Sequence, residues 1–335
     1  MSIEVVSPGL CTTVQDLGRY GYQRHGVNVS GAMDTVAAQM ANMLVGNHRN
    51  DAVLEVTLKG PTLLFHKDML VAICGGDFSP TINKKPVLTN RAVWIRSGSI
   101  LQFSHAKQGC RTYLAVAGGW DVPNVMGSRS TNLRAGFGGF AGRMLQTGDR
   151  LSHNPLNPYS LFLAKQLEQK AADTSFSCTD WYIPASSFAK SREAVVRVIR
   201  GDQFEDFTVE SRQSFFEQPF QVSPQSDRMG YRLTGPTLAL TSPLELISAA
   251  VTTGTIQVPP DGQPIILMAD RQTIGGYPKI GYVASVDLPM IAQLRPGEAV
   301  RFQEISLHDA QRALYEREMM LKDIKLGMEL TVGWR

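Results

Sequence analysis

Two turns in the second half of the chain concentrate residue types that recognise small polar ligands. "SDRMGYR" sets Asp227, Arg228 and Arg232 around Gly230 and Tyr231. "ADRQTIGGYPK" sets Asp270, Arg271, Gln272, Thr273 and Lys279 around Gly275, Gly276 and Tyr277. Arginine grips a carboxylate through two parallel hydrogen bonds, and glutamine or threonine reads an amide. Glycine lets a ligand approach bare backbone. The combination suits a small anionic, amide-bearing ligand better than it suits a solvated turn with local ion pairs. "QDLGRYGYQRHG" near the N-terminus is similar in style, with Asp16, Arg19, Arg24 and His25. His25 on its own reads as an ordinary polar contact, and Asp34 as a helix cap. The two second-half turns are expected to line one cleft, with Arg228→Ala impairing function far more than folding.

Several familiar chemistries are missing. The chain has no G-x-x-x-x-G-K-[ST] phosphate cradle, no G-x-S-x-G elbow and no Met-Lys-Met biotin site. The four cysteines form no C-x-x-C pair, and the six histidines form no H-x-x-x-H pair. No metal site is expected, and the cysteines read as reduced and mostly buried.

The elements that must position these turns are mostly short strands. "EVTLKGPTLLF" (55–65), "MLVAIC" (69–74), "AVWIRSGSILQF" (92–103) and "RTYLAVAGGW" (111–120) are β-rich runs broken by Gly, Pro and Asn. "AVVRVIRG", "GYRLTGPTLAL", "GTIQVPPDGQPIILMAD" and "EAVRFQEI" continue the pattern. Such spacing predicts barrels or sandwiches rather than βαβ units. Three helices are predicted. One follows Asp34, with Val36, Ala37, Met40, Ala41 and Leu44 on one face and Gly46 closing it. The others are "TVESRQSFFEQ" (208–218) and the C-terminal segment opened by Ser306 and Asp309 in a capping-box-like pair. The stretch 155–190 is polar and irregular and reads as a linker, although "SLFLAKQLEQK" has the makings of a short helix.

The chain of 335 residues is 43% hydrophobic and 19% charged, with a net charge of +3, and it has no basic run. That balance is globular and argues against nucleic acid or an anionic membrane as partner. Without a signal-like N-terminus or a membrane-length apolar run, a soluble, cytoplasmic protein is expected.

Internal pairs suggest two related domains. "GYQRHGVNVS" (21–30) resembles "GYPKIGYVAS" (276–285), and "LKGPTLLF" (58–65) resembles "LTGPTLAL" (233–240). "RSGSILQF" (96–103) matches "RPGEAVRF" (295–302), and "IEVVSPG" (3–9) matches "IQVPPDG" (256–262). The Gly-Tyr motif precedes the Gly-Pro-Thr-Leu motif in one half and follows it in the other. Two like barrels, one permuted or the two exchanging their Gly-Tyr segments, would explain the order.

Longer stretches carry a family resemblance: "TTVQDLGRYGYQ", "SGAMD", "ANMLVGN", "LEVTLKGPTL", "GSRSTNLRAGFGG", "SDRMGYRL" and "DRQTIGGYPKIG". Together they resemble the family of the 5-oxoprolinase C subunit, also known as allophanate hydrolase subunit 2-like or biotin-dependent carboxyltransferase-like, which includes KipA. The resemblance spans nearly the whole chain and is weakest over 155–190. It implies a mainly β chain of two cyclophilin-like barrels, over 1–154 and 191–335, joined by the connection 155–190. It implies two partners, a KipI-like B and a LamB/YcsF-like A subunit, in a complex that hydrolyses 5-oxoproline to L-glutamate with ATP. Which of the three chains binds ATP stays open. Antagonism of a KipI-like kinase inhibitor and a carboxyltransferase or allophanate-hydrolase-like role are the alternatives it carries. On the residues, Asp270, Gln272 and Thr273 are the catalytic candidates. Arg228, Gly230, Tyr231, Arg232, Gly275, Gly276, Tyr277 and Arg19 are the substrate-binding candidates.

Overall fold

The computed structural model describes residues 2–184 and 193–333. These fall into two compact units: the described residues within Met1–Arg19, Asp34–Ser186 and Met320–Arg335, and those within Tyr20–Met33 and Ser187–Met319. The architecture is mainly β, as expected.

In the first unit the strands form two six-stranded sheets. The apolar run Met69–Asp77 lies between Ala92–Ile95 and Gln108–Val116 in one sheet, which suits its near-continuous burial. Ile3–Ser7 and Thr62–Phe65 pair antiparallel in the other. Residues of both sheets, among them Val5, Leu63, Phe65, Val71, Ile73 and Val93, share one core with Trp120. Asp34 caps the helix Thr35–Leu44 by accepting from Ala37 N at 2.9 Å.

The expected linker is, in its described part, an element of this unit. Asn157 accepts from Ser160 N at 2.8 Å and starts the helix Pro158–Ala171, which buries Leu163, Leu167 and Ala171. Phe176–Cys178 then adds an antiparallel strand beside Ala92–Ile95. The helix buries one narrow row, Tyr159, Leu163, Leu167 and Ala171, and leaves Leu161 and Phe162 exposed among its polar residues, so no clear apolar face showed in the sequence. Residues 185–190 of that expectation lie outside the described residues.

In the second unit seven strands close into a barrel. Their order round the barrel is Glu193–Arg200, Lys279–Val283, Thr255–Gln257, Ile265–Leu267, Gly230–Thr234, Phe220–Val222 and Ala299–Glu304. Glu193–Arg200 pairs parallel with Ala299–Glu304, and the remaining pairings are antiparallel. Val196, Ile256, Ile266, Ile280, Val300 and a group of phenylalanines fill the barrel. Phe215, on the predicted helix Val209–Glu217, stacks on Phe302 with ring centroids 4.7 Å apart.

The two units differ from the expected spans 1–154 and 191–335, and the described part of Met320–Arg335 falls in the first unit. Residues 20–33 belong to the barrel unit. Ser30 N donates to Ala269 O at 3.1 Å, and Met33 is buried in the barrel's core. Both Gly-Tyr stretches therefore lie in one unit, and they are built differently. The first forms the short 3-10 helix Gln23–His25, whereas the second forms the barrel strand Lys279–Val283. Their likeness is one of composition. Two other pairs do share a structural cause. A Cβ added to Gly60 would lie 2.3 Å from Phe103, and one added to Gly235 would lie 2.5 Å from Phe220. Gly98 and Gly297 turn the chain at φ 79° and 85° just before the strands Ile100–Gln102 and Ala299–Glu304.

Candidate functional site

The two polar turns meet in the barrel unit through a buried ion pair. Arg228 Nε donates to Asp270 Oδ2 at 2.8 Å and Nη2 to Oδ1 at 3.2 Å. Both side chains are almost sealed from solvent. The same Nη2 donates to Gly31 O at 2.7 Å, and Asn28 Nδ2 donates to Asp270 O at 2.6 Å. Backbone bonds from Asp270 N to Arg228 O and from Met268 N to Met229 O continue the join. Three pieces of chain, 28–31, 228–230 and 268–270, are thus locked together. Their sequence separation explains why only the fold reveals it.

Beyond Asp270 the chain makes a small polar rim. Arg271 is 7% exposed. Its Nε donates to Val251 O at 3.3 Å and its Nη1 to Thr253 Oγ1 at 2.8 Å. Burial pulls its basicity below the ordinary arginine value, and the phenol of Tyr20 opposes that effect. Gln272 is exposed and Thr273 half-buried. Thr273 O accepts from Val251 N at 3.1 Å, which continues the two-stranded ribbon of Ala249–Ala250 and Ile274–Gly275. Gly275 passes over the buried Gln257: an added Cβ would lie 2.6 Å from its Nε2. That same Nε2 donates to Tyr277 O at 3.3 Å. The loop leading into the ribbon carries Ile247, 95% exposed, with Ile274 and Tyr277 also exposed.

The remaining candidates take different places. Tyr231 is buried in the barrel, its hydroxyl donating to Leu294 O at 3.2 Å, and a Cβ on Gly230 would press on Ile265. Arg232 is exposed on the same strand, and Gly276 is half-buried. Arg19 lies in the first unit, fully buried. It donates from Nε to Val125 O and from Nη2 to Ser130 O, each at 2.9 Å, and lies over the Phe137 ring. Its neighbour Asp16 gathers Ser128 Oγ, Ser130 Oγ and the amides of Gly18 and Arg129. Both are anchors of the loop that follows Val125. Among the described residues, no three His, Cys, Asp or Glu side chains gather as a metal site. No described helix is long and apolar enough to cross a membrane.

Sequence reasoning passed over Thr253 and Gln257, and it placed Arg271 in the polar turn without giving it a role. Arg271 stood in plain view beside Asp270. The missing information was which arginine, 228 or 271, would take the aspartate.

Comparison with known proteins adds to this geometry. Residues 25–304 match the family described as carboxyltransferase domain, subdomain A and B. The chain is 38% identical to the 5-oxoprolinase C subunit of Haemophilus influenzae, covering 96% of this chain and 97% of that one. It is 36% identical to the Escherichia coli protein of the same name at the same coverage. A crystal structure of the K. lactis urea amidolyase superposes with a TM-score of 0.84 at 31% identity. That match covers 96% of this chain and 20% of the urea amidolyase.

Proposed function

The chain belongs to the carboxyltransferase-domain family that includes the 5-oxoprolinase C subunit, and from that premise we propose that it is the C subunit of an ATP-dependent 5-oxoprolinase. The observation that carries the reading is the end-to-end match to the H. influenzae protein, 97% of whose length is covered. The urea amidolyase match, in contrast, covers a fifth of a longer chain.

The chemistry suits the rim. A five-membered lactam is a stable amide, and water attacks it slowly at neutral pH. Phosphorylation of the carbonyl oxygen by ATP activates the ring carbon toward water. The tetrahedral intermediate expels the protonated ring nitrogen to leave an acyl phosphate, and a second water releases phosphate and glutamate. Each tetrahedral stage needs hydrogen-bond donors. Gln272, Thr273 and the backbone amide of Gly276 are the donors on this reading. Asp270 and Arg228 act on it as positioning residues, since each is occupied by the other. Two partner subunits, one KipI-like and one LamB/YcsF-like, supply the nucleotide chemistry that no phosphate cradle here provides, and the complex works in the cytoplasm.

A carboxyltransferase-like role is the second reading, favoured by the superposition on urea amidolyase. It requires a biotin carrier supplied in trans. The two readings separate on what the chain assembles with. On the first, it co-elutes with a KipI-like protein at micromolar concentration and releases no glutamate from 5-oxoproline on its own. Failure to co-elute, or turnover by the isolated chain, counts against it.

A further inference from the structure

Arg271 carries a charge that the described residues leave unanswered. Arg228, Arg197 and Arg295 each hold a carboxylate, at 2.8, 2.6 and 2.7 Å respectively. Arg271 is more buried than Arg197 or Arg295, and its two hydrogen-bond acceptors are neutral, a backbone carbonyl and a threonine hydroxyl. No described carboxylate pairs with it. An arginine stays protonated when buried, so the cost of desolvating its charge is borne without an ion partner. A buried charge with only neutral acceptors is a candidate for completion by an anionic ligand.

The donors left over have a definite arrangement. Nη2 of Arg271 makes no hydrogen bond among the described residues and is not sealed from solvent. The Thr253 hydroxyl, 2.8 Å from Nη1, accepts there, which leaves its own proton to give. A guanidinium edge and an adjacent hydroxyl can engage the two oxygens of a carboxylate. The charge count favours a monoanion. Asp270 cancels Arg228, so this turn offers one net positive charge from the two arginines, too little for a phosphate dianion.

We propose that Arg271 and Thr253 form a carboxylate-binding subsite in the barrel unit, and that it holds the carboxylate of 5-oxoproline. The identity of the substrate rests on the reading above; the subsite itself does not.

The test is calorimetric titration of the full chain with acetate, 5-oxoproline, the carboxamide of 5-oxoproline and phosphate. Wild type is compared with Arg271→Gln, Arg271→Lys and Thr253→Val. Acetate and 5-oxoproline are expected to bind wild type and to lose about tenfold or more in affinity in Arg271→Gln. Arg271→Lys should fall between the two, and Thr253→Val should show a smaller loss. The carboxamide should bind wild type and Arg271→Gln alike. Equal binding of acetate by wild type and Arg271→Gln, no binding of either carboxylate by wild type, or tighter binding of phosphate than of acetate overturns the proposal. Thermal unfolding gives a second reading. Because Arg271 has no ion partner among the described residues and gives up only two neutral hydrogen bonds, Arg271→Gln should lose less stability than Arg228→Ala in buffer free of carboxylate and phosphate, and an equal or larger loss marks a structural residue and overturns the subsite. The subsite and the enzyme reading fail separately. Arg271-dependent acetate binding without glutamate release by the assembled complex sinks the enzyme reading alone. Wild-type kcat and KM in a complex bearing Arg271→Gln sinks the subsite alone.

Discussion

Replacing Arg228 with alanine strikes the join between the two polar turns. The side chain makes two hydrogen bonds to Asp270 and one to Gly31 O, and the pair is nearly sealed. Its loss leaves a buried carboxylate without its counter-ion and a carbonyl without its donor. Removing one partner of a buried ion pair typically costs about 3–5 kcal/mol. An exposed pair would cost about 1 kcal/mol or less. The larger value is expected here, so Arg228→Ala should destabilise the barrel unit before it touches chemistry. This reverses the expectation drawn from sequence, which put the arginine in a ligand's grip. The assay is urea unfolding followed by circular dichroism, combined with amide hydrogen exchange. The variant should unfold at lower urea, and protection should fall first over residues 28–33 and 228–233. The double variant Arg228→Met with Asp270→Leu should recover much of the loss, because apolar replacement of a whole buried pair is often near neutral. A loss under about 1 kcal/mol in Arg228→Ala, with unchanged exchange at 28–33, would refute the structural role.

Other consequences follow from the packing and charge. Gly60→Ala presses a methyl onto the Cβ of Phe103 and Gly235→Ala onto the ring of Phe220, and each should cost about 1–3 kcal/mol in urea unfolding; no loss would show that both phenylalanines move aside freely. Asp149 is held below the ordinary carboxylate range, first by its hydrogen bonds to Arg143 at 2.7 and 2.8 Å. A depressed carboxylate stabilises the fold above its unfolded value of about 4, and that contribution disappears as pH falls through the lower folded value. The difference in melting temperature between wild type and Arg143→Ala should therefore shrink as pH is lowered below about 4; a constant gap would place the effect elsewhere.

Much of the fold was legible because its causes are local. Asp34, Thr208 and Ser306 each accept from a backbone amide three residues on, where the sequence places a helix start. The strand runs and the turns before Ile100–Gln102 and Ala299–Glu304 were equally readable. The Gly-Tyr repeat misled because a glycine can serve a turn in one place and a close approach in another, and the letters do not say which. Residues 20–33 join the barrel through Ser30, Asn28 and Gly31, contacts with partners far along the chain near residues 228 and 270. At the site, composition picked two turns that the fold joins but could not assign partners. Asp270 goes to Arg228, and that single choice makes Arg228 an anchor and leaves Arg271 open. Arg19, read as a ligand residue from its glycine-rich setting, is spent on two carbonyls of its own unit.

The most direct test of the proposed activity is glutamate release from 5-oxoproline by this chain mixed with a KipI-like and a LamB/YcsF-like subunit, with each chain and ATP omitted in turn. Release is expected only from the complete mixture with ATP. Undiminished release when this chain is left out, or none from the complete mixture while this chain moves a labelled carboxyl group from a carboxybiotin carrier to an amide acceptor such as urea, would contradict it.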